Sequence, residues 1–329
     1  METFKSFARS LETINDQSFE DIAWQVFHLQ ATSNPVYASY LKYLNCNVQD
    51  ISELSQIPFL PISFFKTQSV ITGQWQPITS FTSSGTTGSV NSTHYVYDLD
   101  FYIRHSEQIF RSFFGPPEDF HILALLPSYL ERKGSSLIVM VEHLIKQSRS
   151  SHSGFYLHNT EDLLKKLLDL RGDSRRVILL GVSFALLDLA EANDIDLSHC
   201  IIMETGGMKG RRKELIREEL HDYLKKRFHV DHIYSEYGMT ELMSQAYSMG
   251  DGFYKHPASM RIMIRNINDP FEVLPTGKTG GINVIDLANF HSCAFIETQD
   301  LGTVYSDGRF EVLGRMDNSD IRGCNLLVG

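Results

Sequence analysis

Residues 81–88 read Phe-Thr-Ser-Ser-Gly-Thr-Thr-Gly, a run in which almost every position is a hydroxyl or a glycine. Glycines let backbone N–H groups close on an anion, and Ser and Thr hydroxyls add donors. Such a loop suits a polyphosphate. It is not the common nucleotide loop G-x-x-x-x-G-K-[ST], and alone it reads equally well as a Ser/Thr/Gly surface turn. Three later segments again bring together hydroxyls, carboxylates and a guanidinium. Residues 235–241 are Ser-Glu-Tyr-Gly-Met-Thr-Glu, residues 298–302 are Thr-Gln-Asp-Leu-Gly, and residues 313–323 are Leu-Gly-Arg-Met-Asp-Asn-Ser-Asp-Ile-Arg-Gly. Singly, Tyr237 reads as a core aromatic and Asp300-Leu301-Gly302 as an ordinary hairpin turn.

Together and in this order, the four segments resemble the adenylate-forming superfamily of acyl- and aryl-CoA synthetases and luciferases. The first resembles its phosphate loop T-S-G-T-T-G, the second Y-G-x-T-E, the third T-G-D-x-G and the fourth G-R-x-D-x-x-x-x-x-G. The resemblance implies a reaction that joins a carboxylic acid to ATP, with pyrophosphate leaving. A carboxylate must then attack an α-phosphate that is itself charged, so donors and Mg²⁺ must neutralise charge in an in-line displacement. It further implies that Thr82, Ser83, Ser84, Gly85, Thr86, Thr87 and Gly88 hold the β- and γ-phosphates. Tyr237 would stack on adenine, with Gly238 beside it, while Gly206 and Gly207 let the backbone approach the same ring. Thr240 would donate to the α-phosphate and Glu241 would ligate Mg²⁺ as a hard oxygen donor. Asp300 would accept both ribose hydroxyls, and Arg315 would contact the ribose or the phosphate.

The chain departs from that pattern in two places. The family loop usually ends in a lysine, where Ser89-Val90-Asn91-Ser92 stands here. In typical members a mobile C-terminal domain follows the hinge, here Asp317, and supplies a catalytic lysine. This sequence ends at Gly329, so the expectation is that this domain, and a half-reaction driven by its rotation, are absent. One short branch is similar in length and ending: the acyl-protein synthetase of the bacterial bioluminescence fatty-acid reductase. Pro127-Ser-Tyr-Leu-Glu-Arg132, Ser135-Ser136-Leu137 and Ile321-Arg-Gly-Cys-Asn-Leu326 carry that likeness. It implies a thioester on Cys324, whose thiolate Arg322 nearby would favour, passed on to a partner reductase; the alternative is a small apolar residue packed on the body. Cys324 lies nine residues beyond Arg315, a span of up to roughly 30 Å when extended, so the tail can reach an adenylate.

These residues need elements to hold them. Apolar spacing predicts helices over 19–30, 37–44, 98–114, 135–147, 161–170, 184–192 and 212–228. Short apolar strands are expected at 93–97, 121–126, 177–180, 200–203 and 232–234. Strands alternating with helices imply an α/β fold with parallel sheets covered by helices, where ligands lie beyond the strand carboxyl ends. From about residue 260 the texture becomes β-rich with Gly and Asp turns, which implies a smaller C-terminal antiparallel β subdomain. The expected division is 1–257, a nucleotide- and acid-binding core, and 258–329, ribose motifs and reactive tail. The acid pocket is expected around 120–137 and 205–210.

Composition narrows the class. The chain has 329 residues, 42% apolar and 21% charged, with a formal net charge of −10. That balance fits a globular protein and argues against a nucleic-acid partner. No apolar run approaches the roughly 18 residues of a membrane span, and the start lacks signal-peptide architecture. Cys46, Cys200, Cys293 and Cys324 are scattered without C-x-x-C spacing, which fits reduced cytoplasmic thiols. Four rival readings are weaker. Gly181-Val-Ser183-Phe-Ala185 approaches the hydrolase elbow but lacks its last glycine; Ser183 is expected to cap the following helix instead. Gly277-Lys278-Thr279 is expected to be a turn. His221, His229 and His232 with Asp231 fit no standard metal spacing and are expected to be solvated. The basic run from Lys209 to Lys213 is expected at the surface. A non-catalytic adenylate- or partner-binding scaffold and a ligase using CoA or a carrier protein as acceptor also stand.

Overall fold

The computed structural model describes residues 2–83, 90–127, 134–157, 159–206 and 216–316. Five parallel strands form one half of its main sheet. They are β4 (Phe120–Leu125), β5 (Gly154–Tyr156), β6 (Arg176–Val182), β7 (Cys200–Thr205) and β8 (Ile233–Tyr237), side by side in the order β8-β7-β6-β4-β5. All six residues of β4 are buried, as are six of the seven in β6. Helices cover both faces of a parallel sheet, so its strands are apolar throughout rather than alternating.

The antiparallel strands continue the same hydrogen-bonded path. After β9 (Ala246–Ser248) and β10 (Tyr254–Lys255) come β14 (Phe310–Arg315), β13 (Phe295–Val304), β12 (Thr279–Asp286) and β11 (Met260–Arg265), with β1 (Leu60–Pro61) lying parallel to β13. The fold is therefore α/β with a large, mainly parallel half and an antiparallel half. A separate hairpin, β2 (Thr79–Thr82) with β3 (Thr93–Val96), pairs Thr82 with Thr93.

Helix boundaries follow local chemistry. The helix Leu99–Phe114 starts where Asp98 accepts the Phe101 N–H at 2.9 Å, and stops at Gly115 with φ +94° before two prolines. Its buried side chains, Phe101, Tyr102, His105, Ile109, Phe110 and Phe114, form one stripe against the sheet. At the N-terminus, helices Glu2–Glu12, Asp16–Ser33 and Pro35–Tyr43 pack on the loop 287–294. Gln30 donates to the Asn289 carbonyl at 2.9 Å and accepts from the Ala294 N–H at 2.9 Å, while Asn34 donates to the Ser292 carbonyl at 2.8 Å. Asparagine and glutamine at 0% exposure are tolerated because each amide is paired.

Two expectations change, those for Ser183 and His221, and the alternative of a plain hairpin turn at residues 300–302 falls away: Thr298–Gly302 lies inside β13. The pairing with β14 shifts register between Leu301 and Gly302, a bulge that lets the motif sit within a strand. Gly302 is required there, since a Cβ would come 2.2 Å from the Glu311 carbonyl oxygen. Ser183 does not cap its helix; Val182 occupies that position without a side-chain bond. Of the three histidines expected in solvent, His221 is buried beneath the sheet end. Gly277-Lys278 does form a turn, with Gly277 at φ +80°.

Candidate active site

Tyr237 is the last residue of β8, and Asp300 lies on β13, which β9, β10 and β14 separate from β8 in the sheet. The fold brings them into contact: the Tyr237 hydroxyl donates to Asp300 Oδ2 at 2.8 Å. Asp300 Oδ1 lies 3.5 Å from Arg315 Nε on the neighbouring strand, where Asp300 and Arg315 are register partners. Burial and the adjacent Asp300 charge raise the Tyr237 phenol well above its usual range, so it is a donor at any working pH. Tyr254 and Phe310 meet the Tyr237 ring edge-on, with centroids at 5.9 and 5.8 Å. Arg315 is three-quarters exposed and has room to turn to a ligand.

After Tyr237 the chain runs through Gly238 and Thr240 to Glu241. A Cβ at Gly238 would come 2.4 Å from Glu236 Oε1, so a larger residue there would have to displace the Glu236 carboxyl. The Glu241 carboxyl is buried; burial raises its pKa, opposed by the Ser92 hydroxyl and by Arg315, with Asp300 adding to the rise. Thus Glu241, Asp300 and Arg315 share one electrostatic neighbourhood although 59 to 74 residues separate the last two from the first. The loop is held from outside. Asp286 accepts from Met243 N at 2.8 Å, from Ser244 N at 2.9 Å and from Ser244 Oγ at 2.6 Å.

The β2–β3 hairpin reaches the same place. Ser83 and Ser92 face each other across its open end, with Ser92 N donating to Ser83 Oγ at 2.8 Å and Ser83 N to the Ser92 carbonyl at 3.1 Å. Thr82 N donates to the Gly134 carbonyl at 2.8 Å. From β3, His94 Nδ1 lies 2.9 Å from the Thr240 carbonyl. Gly206 stands at the end of β7 with φ +69°, a turn conformation glycine adopts freely. The structure thus gathers Thr82, Ser83, Gly206, Tyr237, Gly238, Thr240, Glu241, Asp300 and Arg315 around one end of the sheet. Ser84, Gly85, Thr86, Thr87, Gly88, Gly207 and Cys324 lie outside the described residues.

Beneath the site is a polar cluster the sequence reading missed. Glu204 on β7 is 2% exposed. It accepts from Ser183 Oγ at 2.8 Å and lies 3.5 Å from Arg217 Nε and 3.7 Å from His221 Nε2. Burial pushes its carboxyl up, but His221, Arg217 and Ser183 outweigh it and hold it below the usual range. Arg217, from helix Arg217–Phe228, also donates to the Val312 carbonyl at 3.0 Å and lies over the Tyr254 ring. It therefore ties β7 to β14, the strand that carries Arg315. The available signal was a glutamate closing the apolar strand Cys-Ile-Ile-Met-Glu-Thr, since charged residues are buried only when paired. This arrangement also removes the hydrolase reading, because the Ser183 hydroxyl is committed to Glu204 and to the Gly206 carbonyl at 2.6 Å. Arg217→Met leaves the buried Glu204 charge without its guanidinium partner. Because Arg217 keeps some solvent contact, a loss of about 2–3 kcal/mol is expected, read by calorimetry as a melting point lower by roughly 5 °C.

On the opposite face of β8, Glu236 takes a hydrogen bond from the Thr205 hydroxyl, and burial raises its carboxyl to about 7. Burial likewise raises the Cys200 and Cys293 thiols to about 12, leaving both unreactive. Among the described residues, no group of three or more His, Cys, Asp or Glu side chains forms a metal cage. Mg²⁺ does not need one, since it binds through one or two carboxylates plus substrate phosphates. The buried Glu241 carboxylate fits that use.

A family model described as acyl-protein synthetase, LuxE, matches residues 143–329. The chain belongs to the acyl-protein synthetase family. No curated protein sequence matches it. Among solved structures it is similar to ATP-bound MatB from Rhodopseudomonas palustris, with 18% identity and a TM-score of 0.53 over 72% of this chain and 47% of that one. It is also similar to o-succinylbenzoate CoA synthetase from Bacillus subtilis, at 19% identity and TM-score 0.51, covering 73% and 49%. A 2-hydroxyisobutyryl-CoA ligase with its acyl-adenylate aligns over 92% of this chain and 68% of that one, at 11% identity and TM-score 0.66. The chain spans about half the length of the first solved structures it matches. These likenesses give this acyl-protein synthetase family member the fold of the adenylate-forming ligases. The family match starts at residue 143, so the N-terminal helices and the phosphate-loop hairpin lie before it.

Proposed function

We propose that the chain is an ATP-dependent, AMP-forming acid–thiol ligase. A carboxylic acid, of fatty type, attacks the α-phosphorus of ATP through a carboxylate oxygen. The bond to the bridging oxygen breaks and pyrophosphate leaves, giving an acyl-adenylate. A thiolate, that of Cys324, then attacks the acyl carbon, and AMP departs with the electron pair of the broken acyl–oxygen bond. The observation that carries this reading is the convergence of Tyr237, Asp300, Arg315 and Glu241 from separate elements. Asp300, already accepting from Tyr237, keeps lone pairs for ribose hydroxyls. Arg315 and the Thr240 hydroxyl would meet charge on the phosphates. Mg²⁺, held by Glu241, would supply charge neutralisation at the transferring phosphoryl group.

The likeness to an ATP-bound ligase and to one holding an acyl-adenylate supports the use of ATP. In this reading residues 1–257 bind acid and nucleotide, and residues 258–329 supply the ribose contacts and the reactive tail. The thioester would pass to a reductase or carrier partner, in a reducing cytoplasm where a free thiol persists. Among the described residues no helix is long and apolar enough to cross a membrane. The test is ATP–pyrophosphate exchange in the presence of Mg²⁺ and individual fatty and aryl acids. Acid-dependent exchange is the expected result. Tight nucleotide binding with no exchange for any acid would instead indicate a scaffold.

A further inference from the structure

The geometry points to His94 and Asn289 as positioning residues for the adenylation site: each donates to a backbone carbonyl of the motif loop, and so fixes Thr240 and Glu241 without touching substrate. This rests on the reading of Thr240 and Glu241 given above. His94 Nδ1 lies 2.9 Å from the Thr240 carbonyl, and Asn289 Nδ2 donates to the Glu241 carbonyl at 2.8 Å. A carbonyl only accepts, so His94 carries its proton on Nδ1. That tautomer leaves Nε2 as an acceptor, and Nε2 is buried with no partner, an arrangement that costs folding free energy. Burial lowers the imidazole to about 4, so it stays neutral in the working range.

Both donors are themselves held rigidly. His94 is 0% exposed, stacks on His291 with centroids 5.7 Å apart at 9°, and meets Phe65 and Phe81 edge-on. Asn289 has its own carbonyl held by Gln30 of the N-terminal helix Asp16–Ser33. Two parts of the chain that precede the family-matched segment thus reach the loop, one through the phosphate-loop hairpin and one through Gln30 and Asn289. A packing role and a donor role for His94 predict opposite rankings of two substitutions. His94→Phe keeps the ring and its contacts but removes the donor. His94→Asn removes the ring but puts an N–H₂ donor where Nδ1 was.

The experiment compares both variants with the unaltered protein by ATP–pyrophosphate exchange, by deuterium uptake over residues 238–245, and by melting. For His94→Phe the expected result is an exchange turnover lower by roughly 10- to 100-fold, faster deuterium uptake in the loop, and little change in melting. For His94→Asn the expected result is turnover and uptake close to the unaltered protein despite a lower melting point. The reverse ranking, with Phe active and protected and Asn inactive and exchanging, would overturn the proposal. Deuterium uptake does not depend on catalysis, so it decides the point even if no acid supports exchange, and that second failure would count against the function alone. Should His94→Asn not fold, Asn289→Leu must raise uptake over the same residues; unchanged uptake there would also overturn it.

Discussion

Asp300→Ala lowers kcat/KM for ATP by roughly a hundredfold or more, with the loss falling mainly on KM. Each hydrogen bond from a ribose hydroxyl to an ionised carboxylate contributes about 1.5–3 kcal/mol, and one carboxylate can accept two. The substitution also strips Tyr237 of the acceptor 2.8 Å from its hydroxyl and Arg315 of its anion. The tyrosine ring, freed from that bond, is then less well placed against the base. Asp300→Asn is expected to fall between, since it keeps the shape but surrenders the charge and half the acceptor capacity. Pyrophosphate-exchange rates over a series of ATP concentrations measure both constants. A change of less than about fivefold in KM would remove Asp300 from the ribose site, because even one charged hydrogen bond exceeds that.

Glu241→Gln separates activity from stability. The carboxyl is 5% exposed, and burial works against its charged form. A neutral amide of the same shape escapes that desolvation penalty. The melting point of Glu241→Gln is therefore expected to equal or exceed that of the unaltered protein. Its exchange turnover is expected to fall by about a hundredfold or more, with a higher Mg²⁺ requirement, because an amide is a poorer ligand for a hard cation. Exchange measured across Mg²⁺ concentrations, beside calorimetry, reads both effects. A variant that is both destabilised and fully active would show that Glu241 is a structural carboxylate.

Much of this arrangement was legible in the residues. The apolar runs at β4 and β6 marked strands buried on both faces, and Asp98 with Gly115-Pro116-Pro117 bracketed a helix. The motif set named Tyr237, Glu241, Asp300 and Arg315, which the fold brings into one neighbourhood. The misses share a physical cause. Asp300 looked like part of a turn because Asp and Gly favour turns, whereas a bulge in β13 accommodates them within a strand. Ser183 looked like a cap because serine is a good one, but a buried carboxylate on the next strand claims its hydroxyl. His221 looked solvated because its partner, Glu204, is 17 positions earlier and meets it only in three dimensions. His94, Asn289 and Asp286 act through backbone groups of a distant loop, which leaves no spacing signature. The phosphate-loop residues 84–88 and Cys324 fall outside the described residues, so their part in the reaction rests on chemistry in solution.

Intact-protein mass after incubation with ATP, Mg²⁺ and a pool of fatty and aryl acids, with pyrophosphate assayed in the same tube, tests the central claim most directly. The account predicts pyrophosphate together with a mass gain equal to one acyl group, lost on hydroxylamine treatment and absent from Cys324→Ser. Pyrophosphate with no gain in mass would contradict the Cys324 thioester and point to CoA or a carrier as acceptor. The absence of both pyrophosphate and acylation with every acid would contradict adenylation itself.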